Sequence, residues 1–151
     1  MKVLIFLLAI CSVSNAVVFN CTFSVINLVV VGERYTCTAG ILDYEQGQEL
    51  TGVFGNHILG RNSSNVVAVA INTQNALTFI PQAIHDFFPL FAALTIYNCN
   101  LTELSEYDLK DYTNLEYVRF DYNRIKRIPS GFFENTPRMR YMNFNYNQIR
   151  H

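Results

Sequence analysis

The second half of the chain repeats every 24 residues, and no other feature of the sequence restricts the fold as much. Three segments align: Phe91-x-x-Leu94-x-Ile96-x-x-Cys99-x-Leu101, Leu115-x-x-Val118-x-Phe120-x-x-Asn123-x-Ile125 and Met139-x-x-Met142-x-Phe144-x-x-Asn147-x-Ile149. The register extends beyond these anchors, because Ile80, Leu104 and Ile128 share a column, as do Pro81, Ser105 and Pro129, and Leu109 aligns with Phe133. Upstream, Val66-x-x-Val69-x-Ile71 opens a fourth, irregular copy that runs one residue long before Leu77 restores the phase. A unit of this size cannot bury its apolar side alone, so neighbouring copies must stack to make a core.

Composition agrees with a packed chain. Half of the 151 residues are apolar and 15% are charged, with a formal net charge of −1. That apolar content excludes intrinsic disorder. Beyond the first 20 residues no apolar run reaches 18, which excludes a multi-span membrane protein. The balanced charge argues against nucleic-acid binding through bulk positive potential.

The N-terminus reads as a secretion signal over residues 1–16. Met1-Lys2 is a short basic start, Val3 to Ile10 is apolar, and Ser14-Asn15-Ala16 offers small residues for cleavage after Ala16. The mature product is therefore expected to be secreted and extracellular, without a membrane span. Cleavage removes Cys11 and leaves Cys21, Cys37 and Cys99 in an oxidising compartment. Cys21 and Cys37 lie in short β-like runs suited to neighbouring strands and are expected to form the disulfide. Sequons at Asn20, Asn62 and Asn100 are candidate glycosylation sites. No Cys or His pair stands at ligand spacing, so neither metal nor cofactor is expected.

The repeat pattern, spanning about Val66 to His151, resembles that of leucine-rich repeat proteins. More narrowly, Cys21…Tyr35-Thr36-Cys37, Gly55-Asn56-His57, Pro81…Phe87-Phe88-Pro89 and Asn100-Leu101-Thr102 are similar to small secreted leucine-rich repeat proteins of dipteran insects. The resemblance implies an α/β-type repeat solenoid: a short arc with one parallel strand per repeat on a concave face and irregular or 3₁₀ segments behind. Residues 17–65 then form a β-rich, disulfide-linked N-terminal cap, and residues 66–151 about four repeats. The sequence reaches Asn147-Gln148-Ile149-Arg150-His151 without a cysteine-bearing C-terminal cap, so a missing cap or a truncated last repeat is the expectation there. Cys99, Asn123 and Asn147 should point inward and form a hydrogen-bonded structural ladder, making Cys99 a buried structural thiol.

Strand alternation turns the variable positions outward. The columns are Ala93, Tyr117, Tyr141; Thr95, Arg119, Asn143; Tyr97, Asp121, Asn145; and Asn98, Tyr122, Tyr146. Tyr, Asn and Arg dominate, a composition typical of recognition surfaces, although stacked tyrosines also stabilise a strand ladder. The expected binding residues are Tyr97, Tyr117, Arg119, Asp121, Tyr122, Tyr141, Asn143, Asn145 and Tyr146. Charge is uneven, with Glu103, Glu106, Asp108, Asp111 and Glu116 preceding Arg119, Arg124, Lys126, Arg127, Arg138, Arg140 and Arg150. No hydrolase, zinc-protease, P-loop or dinucleotide motif occurs, and the neighbouring His85 and Asp86 read as surface groups, so no enzyme is expected. The leading expectation is an extracellular module recognising a protein, in innate immunity or at cell surfaces. The alternative is a self-associating matrix component, joined through its C-terminal end, or a truncated product.

Overall fold

In a computed structural model that describes residues 17–41 and 49–150, the chain forms one seven-stranded sheet. The signal expected over residues 1–16 lies outside the described residues. Strands β1 (Val17–Leu28), β2 (Gly32–Ile41), β3 (Leu50–Phe54), β4 (Ala68–Asn72), β5 (Ala93–Tyr97), β6 (Tyr117–Arg119) and β7 (Tyr141–Asn143) lie in the order β3-β1-β2-β4-β5-β6-β7. β1 and β2 pair antiparallel, whereas every other neighbouring pair is parallel.

This architecture corrects the α/β-type repeat solenoid expected from the sequence. The sheet is mixed, and among the described residues helix is confined to one 3₁₀ turn, Ser63–Asn65, and the four-residue α1, Ile84–Phe87. The reason is geometric. Strands stack about 4.8 Å apart, whereas an α-helix with its side chains is about 10 Å wide, so a helix behind every strand would require a strongly curved sheet. The chain returns instead through narrow strings of turns. Asp108, Lys110 and Tyr112 donate their N–H groups to Ser105, Tyr107 and Leu109 carbonyls, and Phe132, Glu134 and Thr136 do the same to Pro129, Gly131 and Phe133. β1, β2 and β3 continue the sheet of the repeat strands.

The repeat register is visible atom by atom. Leu94 lies opposite Val118 and Val118 opposite Met142, while Val69 and Cys37 extend that column to the hairpin. The core that these columns fill includes Ile71, Leu77, Ile80, Leu94, Ile96, Leu101, Leu115, Val118, Phe120 and Ile125. Tyr112, buried behind the strands, donates its hydroxyl to the Pro81 carbonyl at 2.6 Å and accepts from the Ile84 N–H at 3.4 Å, tying adjacent repeats together. Burial pushes its phenol well above the ordinary range, so it stays a donor.

In the hairpin, Cys21 faces Ala39 and Cys37 faces Phe23, so the two cysteines are diagonal neighbours and form the disulfide. Their separation of 16 residues closes a loop whose restriction of the unfolded chain contributes about 3 kcal/mol on the chain-entropy estimate.

Candidate functional site

Alternation in β5, β6 and β7 sends Leu94, Val118 and Met142 to the core side and Thr95, Arg119 and Asn143 to the opposite face. A residue with left-handed backbone follows each repeat strand: Thr73 and Asn98 directly after β4 and β5, and Tyr122 and Tyr146 three residues after β6 and β7, have φ of 56°, 52°, 58° and 55°. This turn aims the following segment inward, and its N–H groups bond the next repeat, as Tyr122 N–H does to the Asn145 carbonyl at 3.1 Å. Asparagine tolerates the conformation. A tyrosine there carries about 1–2 kcal/mol of strain, so two in succession are costly.

Those two tyrosines are the exposed aromatic side chains of this face. Tyr122 and Tyr146 stack with centroids 4.3 Å apart and planes 18° apart, and remain 42% and 70% exposed. Tyr97 meets Tyr122 edge-on at 5.4 Å. The Arg119 guanidinium lies 4.6 Å from the centre of the Tyr97 ring and donates twice to Asp121, at 2.7 and 3.0 Å. That bidentate bond raises the Arg119 pKa and fixes a cation flat against the aromatic row. Beside it, Asn143 Oδ1 accepts from the Asn145 N–H at 2.9 Å, and Asn143 Nδ2 donates to the Tyr141 hydroxyl at 3.4 Å.

Two of the expected binding residues are not displayed. Asp121 is 3% exposed and engaged with Arg119, and Tyr117 is also 3% exposed. The β1–β2 hairpin runs past the starts of the repeat strands, and its end folds over their outer face. Val31 and Leu28 pack on Ala68, Ala93, Tyr117 and Tyr141. Tyr117 stacks on Tyr141 at 4.7 Å, and burial pushes its pKa up. Arg34 anchors the hairpin, with Nη2 2.7 Å from Glu116 Oε1, while Arg140 lies 3.8 Å from the other Glu116 oxygen. The accessible face is therefore Tyr97, Arg119, Tyr122, Asn143, Asn145 and Tyr146, bordered by Tyr141. The sequence signal for the cover was the apolar run Leu28-Val29-Val30-Val31 before Gly32, an unusual composition for an exposed turn.

The structural ladder is built as follows. Asn123 Oδ1 accepts from the N–H groups of Cys99 and Leu101, both at 3.2 Å, and Nδ2 donates to the Ile96, Phe120 and Asp121 carbonyls. Asn147 repeats the pattern one turn on, accepting from Ile125 N–H at 3.0 Å. Cys99 accepts from the Gln74 N–H at 3.4 Å through sulfur, and burial raises its pKa. A raised pKa leaves less thiolate at any given pH, and burial also blocks access. Ellman titration of the native protein at pH 8 should find this thiol unreactive, with full reaction once the chain is unfolded in guanidinium; rapid native reaction would show the site to be open.

One cluster has the outline of a nucleophile relay. His57 Nε2 lies 3.3 Å from Ser63 Oγ, and Nδ1 lies 3.0 Å from the Tyr35 hydroxyl. The Ile58 N–H also donates to that hydroxyl, at 3.1 Å. The imidazole bridges a phenol and a serine hydroxyl, with no carboxylate among its hydrogen-bond partners in the described residues to orient it as the base of a triad. Phe23 stacks on His57 at 3.8 Å and Arg61 covers Tyr35 at 4.6 Å, so the group ties the hairpin to the following loop. His85 Nε2 lies 3.2 Å from Asp86 Oδ1 at the surface.

The sequons differ in setting. Asn62 caps the 3₁₀ turn by accepting from Ser64 N–H, Asn100 donates Nδ2 to the Asn75 carbonyl, and Asn20 is exposed in the middle of β1. Among the described residues no His, Cys, Asp and Glu group is arranged to hold a metal ion, and no helix is long and apolar enough to cross a membrane. No protein-family model matches the chain, and neither does any curated protein.

Proposed function

We propose that the chain is an extracellular binding module, of the leucine-rich repeat kind that its 24-residue pattern resembles, and that it recognises a protein partner through the tyrosine face of its repeat strands. The Cys21–Cys37 disulfide supports an oxidising compartment. The observation that carries the proposal is the Tyr122–Tyr146 pair, held in strained left-handed backbone yet largely exposed. Stacking alone is worth about 0.5–1.5 kcal/mol, no more than the strain, so packing gives little reason to place tyrosine where asparagine fits better. Rigid aromatic area beside a fixed Arg119 and the amide groups of Asn143 and Asn145 is instead suited to binding another protein surface. A location at cell surfaces, including innate immune recognition, is part of the same proposal.

The experiment is to titrate the fluorescently labelled secreted protein on intact cells and to repeat the titration with Tyr122→Asn/Tyr146→Asn. Binding should be saturable, abolished by protease treatment of the cells, and weakened at least about tenfold in the variant, in line with the loss of two aromatic anchors. The variant's melting temperature should stay close to that of the parent, because strain relief offsets the lost stack. Equal binding by the two proteins would remove the tyrosine face from the function. The competing reading, self-association, is supported by the edge position of β7 and the 54% exposure of Met142, and it requires a mass that rises with concentration in light scattering.

A further inference from the structure

Away from the tyrosine face, the segments that follow the ladder residues place three cations together. Arg124 and Lys126 flank the inward-pointing Ile125, and Arg150 lies directly beside Lys126, its N–H donating to the Lys126 carbonyl at 3.1 Å. Gln148 N–H bonds the Ile125 carbonyl at 2.9 Å, so the last two repeats are in register here, with side chains about 4.8 Å apart along the stack. Arg124, Lys126 and Arg150 are all exposed, and among the described residues none has a carboxylate within 4.0 Å. Lys126, Gln148 and Arg150 line a groove of about 270 Å³. The repeat below presents Asn100 and Thr102 in these columns, so no acid interrupts the strip. Lys126 also borders a neighbouring groove of about 400 Å³, which it shares with Arg127, Glu103 and Glu106, so the strip ends there against two carboxylates.

We infer that Arg124, Lys126, Gln148 and Arg150 form a binding strip for a sulfated polysaccharide. Three unpaired cations in a row on a rigid backbone match a linear, densely charged anion, and Gln148 adds a neutral hydrogen-bonding group within the groove. Single-stranded nucleic acid is less well suited, because the aromatic rings that would stack on bases lie on the strand face instead. An acidic bilayer would need an apolar anchor, and here only Ile149, 38% exposed, is at hand. The site is separate from the tyrosine face, and its success or failure leaves that reading untouched.

The test measures the full secreted chain on immobilised heparin, on hyaluronan, which is carboxylated but unsulfated, on duplex DNA and on vesicles containing phosphatidylserine. Heparin should retain the protein at 0.15 M salt, a concentration of physiological order. With three ionic contacts, affinity should fall roughly fortyfold between 50 and 200 mM salt, if counterion release follows the nucleic-acid relation. Arg124→Gln/Lys126→Gln/Arg150→Gln should abolish retention, whereas Lys110→Gln/Arg127→Gln/Arg138→Gln, with the same change in net charge, should retain it. Absence of heparin binding overturns the proposal, as does equal loss in the two triple variants. Equal binding to hyaluronan, DNA or the vesicles overturns the assignment of a sulfated glycan.

Discussion

Gly55→Ala should leave no folded protein. Gly55 follows β3 with φ of 132°, a conformation that L side chains rarely adopt, and a Cβ built there overlaps the Cys21 carbonyl oxygen and approaches Phe23 Cε2 to 3.2 Å. The obstacle is backbone, and that backbone is anchored: Cys21 sits in the middle of β1, between β2 and β3, and is tethered by the disulfide. The neighbouring ring cannot yield either, because Phe23 is packed against His57 and Tyr35. With positive φ and a backbone clash combined, the cost should exceed about 4 kcal/mol, a large share of the 5–15 kcal/mol typical of a domain. Gly60→Ala is the control. It also has positive φ, 80°, but nothing lies within 4 Å of its Cβ, so it should cost only about 1 kcal/mol. Thermal melts of both variants decide the matter, and a Gly55→Ala protein melting within a few degrees of the parent would show that β3 can detach from β1 at little cost.

The second large effect belongs to the ladder. Asn123→Ala removes an amide that serves five backbone groups in two repeats, most of them buried, where an unmet donor or acceptor costs about 1–3 kcal/mol. Allowing for partial relaxation, the expected loss is about 3–5 kcal/mol in urea unfolding. Asn147→Ala should cost clearly less, about 1–2 kcal/mol, although its side chain also makes several bonds, because its half-exposed setting lets water replace them. Equal losses at the two positions, or a reversed order, would mean that the ladder does not act through desolvated backbone groups. Cys99 shows how the column tolerates a weaker member: its sulfur accepts one N–H and directs its own hydrogen to carbonyl oxygens.

Much of the candidate site was legible, but accessibility was not. The strand columns follow from alternation, which is a local property of the backbone, and Thr95, Arg119 and Asn143 do share a face. Tyr117 belongs to that face and is nevertheless buried, because Val31 arrives from a hairpin 86 positions earlier in the chain. Nothing in the repeat period records how far that hairpin projects. Asp121 likewise stands in an outward column, but it is withdrawn from solvent by its bond to Arg119.

The ends of the strands present the same limit. Asn98, Tyr122 and Tyr146 align in the sequence, but alignment does not give the sign of φ, which is set by the need to turn the chain back toward the core. The strain that distinguishes these tyrosines therefore appears only in three dimensions. The His57 group is similar: His57, Tyr35 and Ser63 converge because β2 and the loop after β3 meet, and the Ile58 N–H joins them at the Tyr35 hydroxyl.

By itself the sequence determined the repeat length, the inward columns and the cysteine pair, because each is a spacing rule imposed by a repeating backbone or by adjacent strands. Tertiary structure decided that β1, β2 and β3 continue the sheet of the repeats, that the hairpin covers Tyr117, and that Tyr122 and Tyr146 remain exposed in strained conformations. Those outcomes depend on how closely distant segments approach and on the reach of the hairpin. Such distances arise only when the whole chain packs.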